Sequence, residues 1–131
     1  MPIYEVQTSP PEGLRSKGPC CPIEVSLPQT LVTLLSQQGQ QIPPPVSGQA
    51  LIDTGASVSA IDLSVISRLQ LNPIGVVSVG TAGGPTRRNL YPARFMLSRL
   101  VIDLEAVIGA DLGPFDIIAL IGRDILSRFI M

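Results

Sequence analysis

Asp53 ends the apolar run Gln49-Ala50-Leu51-Ile52 and opens Thr54-Gly55-Ala56-Ser57, a polar, glycine-bearing turn. A buried strand thus delivers a carboxylate into a loop, the kind of segment that carries binding and catalytic groups on a rigid scaffold. The chain has no histidine, which removes Ser-His-Asp and Cys-His catalysis, histidine metal sites and histidine pH switches. Any catalysis must run on carboxylates, hydroxyls or backbone groups. The only cysteines, Cys20 and Cys21, are adjacent; such a pair closes only a strained ring and supplies neither a disulfide framework nor a four-ligand zinc site. Asp103, Glu105, Asp111 and Asp116 are scattered carboxylates without nitrogen or sulfur ligands beside them, a poor basis for a metal-dependent hydrolase. No cofactor is expected.

With 131 residues, the chain is one domain, or one domain with a tail, and can bury a real core. Apolar residues make up 45% against 15% charged, and mean hydropathy is +0.39, so disorder over most of the length is excluded. Nine Lys and Arg against ten Asp and Glu, with few aromatics, leave no electrostatic footprint for nucleic acid. No apolar run reaches bilayer length, and the start Met1-Pro2-Ile3-Tyr4-Glu5 lacks the basic and apolar regions of a signal peptide. The chain as given reads as soluble, with no compartment indicated.

Prolines are concentrated early, at 10, 11, 19, 22, 28 and 43–45, so residues 1–22 read as an extended, weakly ordered arm and residues 23–131 as the domain. Ile23-Glu24-Val25-Ser26-Leu27 alternates as a half-buried strand does, and Pro28 ends it. Leu31, Leu34 and Leu35 share a helical face, with Gly39 as the stop. After the acid turn, Ser59 and Asp62 have capping-box-like spacing ahead of apolar positions Ile61, Val65, Ile66 and Leu69, which predicts a helix over roughly 60–69. Val76–Val79 and Tyr91–Leu97 flank Thr81-Ala82-Gly83-Gly84-Pro85, the turn chemistry of a hairpin with a glycine tip. Leu100 to Ile108 is β-rich, Gly113-Pro114 turns the chain, and Ile117–Ile121 is a fully apolar strand running into Gly122-Arg123-Asp124 and an amphipathic piece, Ile125 to Phe129. The sum is mostly strand with two or three short helices. There is no internal repeat and no second Asp-Thr/Ser-Gly.

An Asp-Thr-Gly alone is an ordinary turn, found by chance in roughly one chain in ten of this length. Here it follows a buried strand and leads into a helix, then a glycine-tipped hairpin and a second buried strand ending in Leu120-Ile121-Gly122. In that order, Ala50 to Ser57, the helix after it, Val79-Gly80-Thr81-Ala82-Gly83-Gly84, and Leu120-Ile121-Gly122-Arg123-Asp124-Ile125-Leu126 resemble the retropepsin-like, single-domain aspartic proteases. The Ala-Gly-Gly tip and the Ala-Ser after Asp-Thr-Gly look more like bacterial and cellular members than retroviral ones.

The resemblance implies a closed β-barrel with one or two short helices, acting as a symmetric homodimer. It implies an aspartic endopeptidase that cleaves extended polypeptides. Hydrolysis by two carboxylates needs one ionised to take a proton from water and one protonated to polarise the scissile carbonyl. With one motif in a chain too short for two lobes, the partner is Asp53 of a second copy. Like charges about 3 Å apart cannot both ionise, so the pair shares a proton and titrates as a unit, giving an acid-favoured, bell-shaped activity. By resemblance Asp53 is catalytic, Thr54 bonds backbone across the dimer axis, and Gly55, Ala56 and Ser57 complete the loop. Val79 to Gly84 form a flap, Leu120, Ile121 and Gly122 pack behind the acid, and Arg123 braces its loop through ion pairs.

Two departures from the family's pattern stand out. Viral members carry an acid two residues beyond Gly-Ala to receive the arginine, where this chain has Ser57 and Val58. The family also continues past Gly-Arg into a further strand that joins an interchain sheet, whereas this sequence stops at Phe129-Ile130-Met131, so that strand is expected to be missing. Ile61, Val77, Val79 and Ile118 are candidate apolar subsite walls. The rival readings are a catalytically silent retropepsin-like module for dimerisation or peptide binding, and a generic small β-domain with a fortuitous Asp-Thr-Gly.

Overall fold

The computed structural model describes residues 19–81 and 83–130. Most of the expected arm therefore lies outside the described residues, although Cys20–Pro22 form the start of a strand. Among the described residues there are seven strands: β1 (Cys20–Ser26), β2 (Val46–Ile52), β3 (Ala60–Asp62), β4 (Gly75–Thr81), β5 (Gly84–Leu97), β6 (Leu100–Ala110) and β7 (Ala119–Ile121). Three helices accompany them: α1 (Gln29–Gln37), α2 (Leu63–Leu69) and α3 (Arg123–Ile130), with a 3-10 turn at Gly113–Phe115.

The strands are ordered β1-β2-β7-β3-β6-β5-β4, and β1 also pairs with β5, so all but β4 close into a ring. Closure gives each ring strand a partner on both sides over part of its length, which shortens the exposed sheet edges. The pattern in each strand follows its place. In β1, Ile23 and Val25 are buried and Glu24 between them is exposed, the alternation of a strand with one wet face. At the end of β2, Ala50 joins the main core with Phe95, Ile61, Val25 and Ile121. Its neighbour Leu51 faces the other way, into a smaller cluster with Leu112 and Ile117. Burial on both faces is why Gln49–Ile52 is an unbroken apolar run after its first residue.

Pairing direction positions the site. Strand β2 runs parallel to β7, with Ala50, Leu51 and Ile52 opposite Ala119, Leu120 and Ile121. Both strands therefore leave the sheet at the same end, and Asp53 emerges beside Gly122. Strand β3 lies antiparallel to β7 and parallel to β6, so the chain returning from the acid turn passes the same place. Strands β4 and β5 pair over their facing lengths, with Thr81 opposite Gly84, and project as a hairpin from the ring.

The expected helix over 60–69 is shorter at its start. Residues 60–62 are strand, and the N-cap is Asp62, whose side chain accepts the Ser64 N–H. The edges of β3 are needed by β6 and β7, so tertiary pairing overrides the capping-box pattern at Ser59. Asp62 is buried and its other oxygen accepts the Leu112 N–H at 2.7 Å. Burial pushes its carboxyl up, but hydrogen bonds from the Ser64 side chain and from the Leu112, Ser64 and Gly113 backbone outweigh it and leave the carboxyl below its ordinary range. On the outside of the ring, Arg94 donates twice to Asp103, at 2.6 and 3.1 Å, across the β5–β6 pair. That exposed cross-strand pair contributes only about 0.2–1 kcal/mol.

The Asp62 geometry gives a stability expectation with a definite sign. A carboxylate whose folded pKa is depressed stabilises the fold fully above its unfolded pKa, and that contribution is lost as pH falls through the folded value. Asp62→Asn should cost about 1–3 kcal/mol at pH 7. In urea unfolding followed from pH 7 downward, the gap between wild type and variant should close below about pH 4. A gap of constant size down to pH 2 would contradict this role for Asp62.

Candidate active site

Asp53 stands at the exit of β2, and its backbone N–H donates to the Ile121 carbonyl at 2.9 Å, extending the β2–β7 pairing by one bond. Its side chain turns back on its own loop: Oδ1 accepts the Gly55 N–H at 2.9 Å. A bond from residue i+2 to an Asp side chain is the Asx-type turn for which Asp-x-Gly is suited. The Asp53 carbonyl accepts the Ala56 N–H at 3.2 Å, which closes the turn. Asp53 is half-buried, while Thr54, Gly55 and Ser57 are exposed. The loop thus fixes one carboxylate oxygen and leaves the residue partly exposed.

The second motif lies against it. Arg123 donates its backbone N–H to the Ala56 carbonyl at 2.8 Å. A Cβ at Gly122 would lie 2.9 Å from the Ala56 oxygen and from the Val58 carbonyl carbon and oxygen. No side chain fits there, because every atom it would meet is backbone of the acid loop. Ile121 is buried in the main core, whereas Leu120 packs against the smaller cluster, so the two residues behind the acid serve different faces of the sheet.

Ser59 and Asp124 were not singled out as site residues by sequence reasoning. Ser59 is fully buried. Its hydroxyl donates to Asp124 Oδ1 at 2.7 Å and accepts the Gly122 N–H at 3.0 Å. Its backbone N–H donates to Asp124 Oδ2 at 3.0 Å. Asp124 stands in the first turn of α3, and its Oδ1 also accepts the Ile125 N–H at 2.8 Å. An acid in the first turn of a predicted helix and a serine beside an apolar run were the available signals. The side chain of Arg123 is exposed and has no ion pair among the described residues. The expected brace by Arg123 is thus made by its backbone and by its neighbour.

Of the expected flap, Val79, Gly80 and Thr81 end β4, Gly83 and Gly84 lie at the turn into β5, and Ala82 is outside the described residues. Gly84 has φ +109°, a region that side chains disfavour. Among the proposed subsite walls, Val77 and Val79 are half-buried on one face of the hairpin. Ile61 is in the core at 0% exposure and cannot line a cleft, and Ile118 packs on the core with its side chain over Gly48. Among the described residues no group of three or more Cys, Asp and Glu side chains is placed to hold a metal ion.

A family model described as aspartyl protease matches residues 44–125, which contain the acid loop, the hairpin and the Gly122 turn. The chain belongs to the aspartyl protease family. Among solved structures, its fold is similar to the EIAV protease complexed with the inhibitor HBY-793, at TM-score 0.57 and 19% identity over 87% of this chain and 89% of that one. It is also similar to the Simian Foamy Virus (mac) protease, at TM-score 0.52 and 16% identity over 82% and 93%. A comparison with curated protein sequences finds no match. The fold of this family member is thus retropepsin-like and mainly β, as its motifs imply, and no helix among its described residues is long and apolar enough to cross a membrane.

The close approach at Gly122 yields a test. Gly122→Ala places a methyl group against loop backbone rather than a yielding side chain, so the loop must move. The fold should lose about 1–3 kcal/mol, read as a lower urea midpoint, with faster amide exchange at Ala56 and Ser59. A variant of wild-type stability and exchange would show that the turn has room the structure does not allow.

Proposed function

We propose that this chain is an aspartic endopeptidase that hydrolyses peptide bonds in extended polypeptides, using water activated between the Asp53 carboxylates of two copies. The observation that carries the reading is the Asp53 loop itself: a half-buried, partly exposed acid with one carboxylate oxygen held by the Gly55 N–H and its backbone tied to Ile121. Membership of the aspartyl protease family and the retropepsin-like fold support it.

One carboxylate per chain sets the stoichiometry. The reaction needs a base to take a proton from water while oxygen attacks the carbonyl carbon, and an acid to hydrogen-bond the carbonyl oxygen as it gains charge. The protonated carboxyl polarises the carbonyl, the ionised one accepts the water proton, and that proton passes to the leaving nitrogen as the C–N bond breaks. One Asp53 cannot fill both roles. Two copies related by a two-fold axis present the same loop twice, which is the isologous solution. The β4–β5 hairpin is the flap of this reading: it projects from the ring, and Gly80, Gly83 and Gly84 leave its tip open space on all sides where a Cβ would be. Closure over an extended substrate would exclude water and offer backbone groups for strand-like pairing.

Cleavage of an unstructured peptide library at several pH values tests the reading. Wild type should cut with a bell-shaped, acid-favoured profile, since the pair is active only while it holds one proton. Asp53→Asn should remain folded and lose about 10²–10⁴-fold in rate, because an amide neither takes a proton from water nor shares one. Cleavage by purified Asp53→Asn at the wild-type rate would remove Asp53 from the mechanism.

A further inference from the structure

We infer that Ser59 and Asp124 are the positioning residues of the acid loop: their side-chain bonds set where the Asp53 carboxylate stands. The inference rests on the reading of Asp53 as the catalytic acid. The segment from Asp53 to Ser59 is held at three points by four consecutive residues. Asp53 is bonded to Ile121 and Ala56 to Arg123, both through backbone. Ser59 is bonded to Gly122 and Asp124 through side chains. The first two contacts would form with many side chains at those positions. Of these three, only the last is made by side chains; with the close approach that requires glycine at 122, it is where residue type determines the loop's exit.

The atoms at that contact are fully used. Ser59 donates its hydroxyl to Asp124, accepts from Gly122, donates its N–H to the second Asp124 oxygen, and gives its carbonyl to the Ile108 N–H at 3.1 Å. It therefore joins the acid loop, the Gly122 turn, the start of α3 and β6 in one fully buried residue. Buried polar groups linked this way resist displacement, because breaking one bond leaves a desolvated donor or acceptor. Asp124 receives three N–H or O–H donors on its two oxygens. An amide in its place offers one oxygen and one NH2, so in either orientation at least one of those donors meets another donor. The carboxylate is required, not merely a residue of that size.

Positioning is worth a great deal here because two copies of the loop must meet. A displacement of an ångström at a reacting group can cost about a hundredfold in rate. The consequence falls on turnover more than on substrate binding, since Ser59 is fully buried and both Asp124 oxygens are taken up by Ser59 and the Ile125 N–H.

The test compares Asp124→Ala, Asp124→Asn, Ser59→Ala and the Ser59→Ala/Asp124→Ala double variant with wild type, and uses Ser127→Ala, an exposed change on the same helix, as the control. Each clamp variant should lower kcat about 10- to 100-fold with KM within about twofold. The limbs of the pH profile should move, because a displaced carboxylate couples differently to its partner. The double variant should be no worse than the more impaired single variant, as expected for one shared contact. Amide exchange at Ser59 and Gly122 should quicken. Folded Asp124→Ala with wild-type kcat and pH limbs, or additive losses in the double variant, would overturn the assignment. If Asp124→Ala does not fold, Asp124→Asn decides by the same readings. If wild type shows no Asp53-dependent cleavage, the functional reading fails separately, and unchanged exchange across 54–59 in Asp124→Asn would overturn the clamp on its own.

Discussion

Three residue pairs between β2 and β7 are the contact on which the rest of this structure depends. Parallel strands leave a sheet at the same end, so this short pairing brings two turns together although Asp53 and Gly122 are 69 positions apart in sequence. Pairing over so few residues is weak by itself. It is held by burial of Ala50, Ala119 and Ile121 in the main core and of Leu51 and Ile117 in the second cluster, and a fully buried aliphatic side chain is worth about 1.5–3 kcal/mol. The backbone bonds from Asp53 to Ile121 and from Arg123 to Ala56 then carry the pairing past the strand ends into the turns. Core, sheet and acid loop are in this sense one structure, and a change that separates β2 from β7 loses all three.

That arrangement also explains the division between what is rigid and what projects. The ring gives its strands partners on both sides where they meet, and the acid loop is tied at both ends and at its middle to the segment that closes the ring. The β4–β5 hairpin is paired only to itself over most of its length. On the proposed reading, a fixed acid loop and a separate hairpin with a glycine tip suit a reaction in which the catalytic group must be in place beforehand and the substrate must still enter. On the same reading, one chain's loop is complete as a loop and incomplete as chemistry, since one carboxylate supplies either the acid or the base. Symmetric association is the economical remedy, because the geometry that sets one loop sets both.

Local features were legible in the sequence, and features made by tertiary pairing were not. Asp53, Thr54 and Gly55 form a turn whose bonds run between near neighbours, so residue type alone points to it. The hairpin and the obligatory glycine at 122 are similarly marked, the first by its turn residues and the second by its position after an apolar strand. The start of α2 was misplaced by three residues because Ala60–Asp62 have partners in β6 and β7 that no local pattern reveals. For the same reason Ile61 read as a helix-face or cleft residue and is in the core. Ser59 looked like a helix cap, and its hydroxyl is instead turned to Asp124, 65 positions away. The resemblance drew attention to Arg123, yet the bond it makes to the acid loop is from its backbone, and the neighbouring Asp124 carries the side-chain contact.

The central claim, that the working site is built from one Asp53 of each of two chains, is tested most directly by subunit mixing. Wild type is held at fixed concentration, folded Asp53→Asn is added in increasing excess, the two are allowed to exchange, and peptide cleavage is measured. If each dyad takes one carboxylate from each copy, the variant captures wild-type chains in mixed pairs, and activity should fall towards the Asp53→Asn level as the excess grows. Activity that depends only on the amount of wild type, unaffected by an excess of exchanged variant, would mean that one chain is sufficient and would contradict the account.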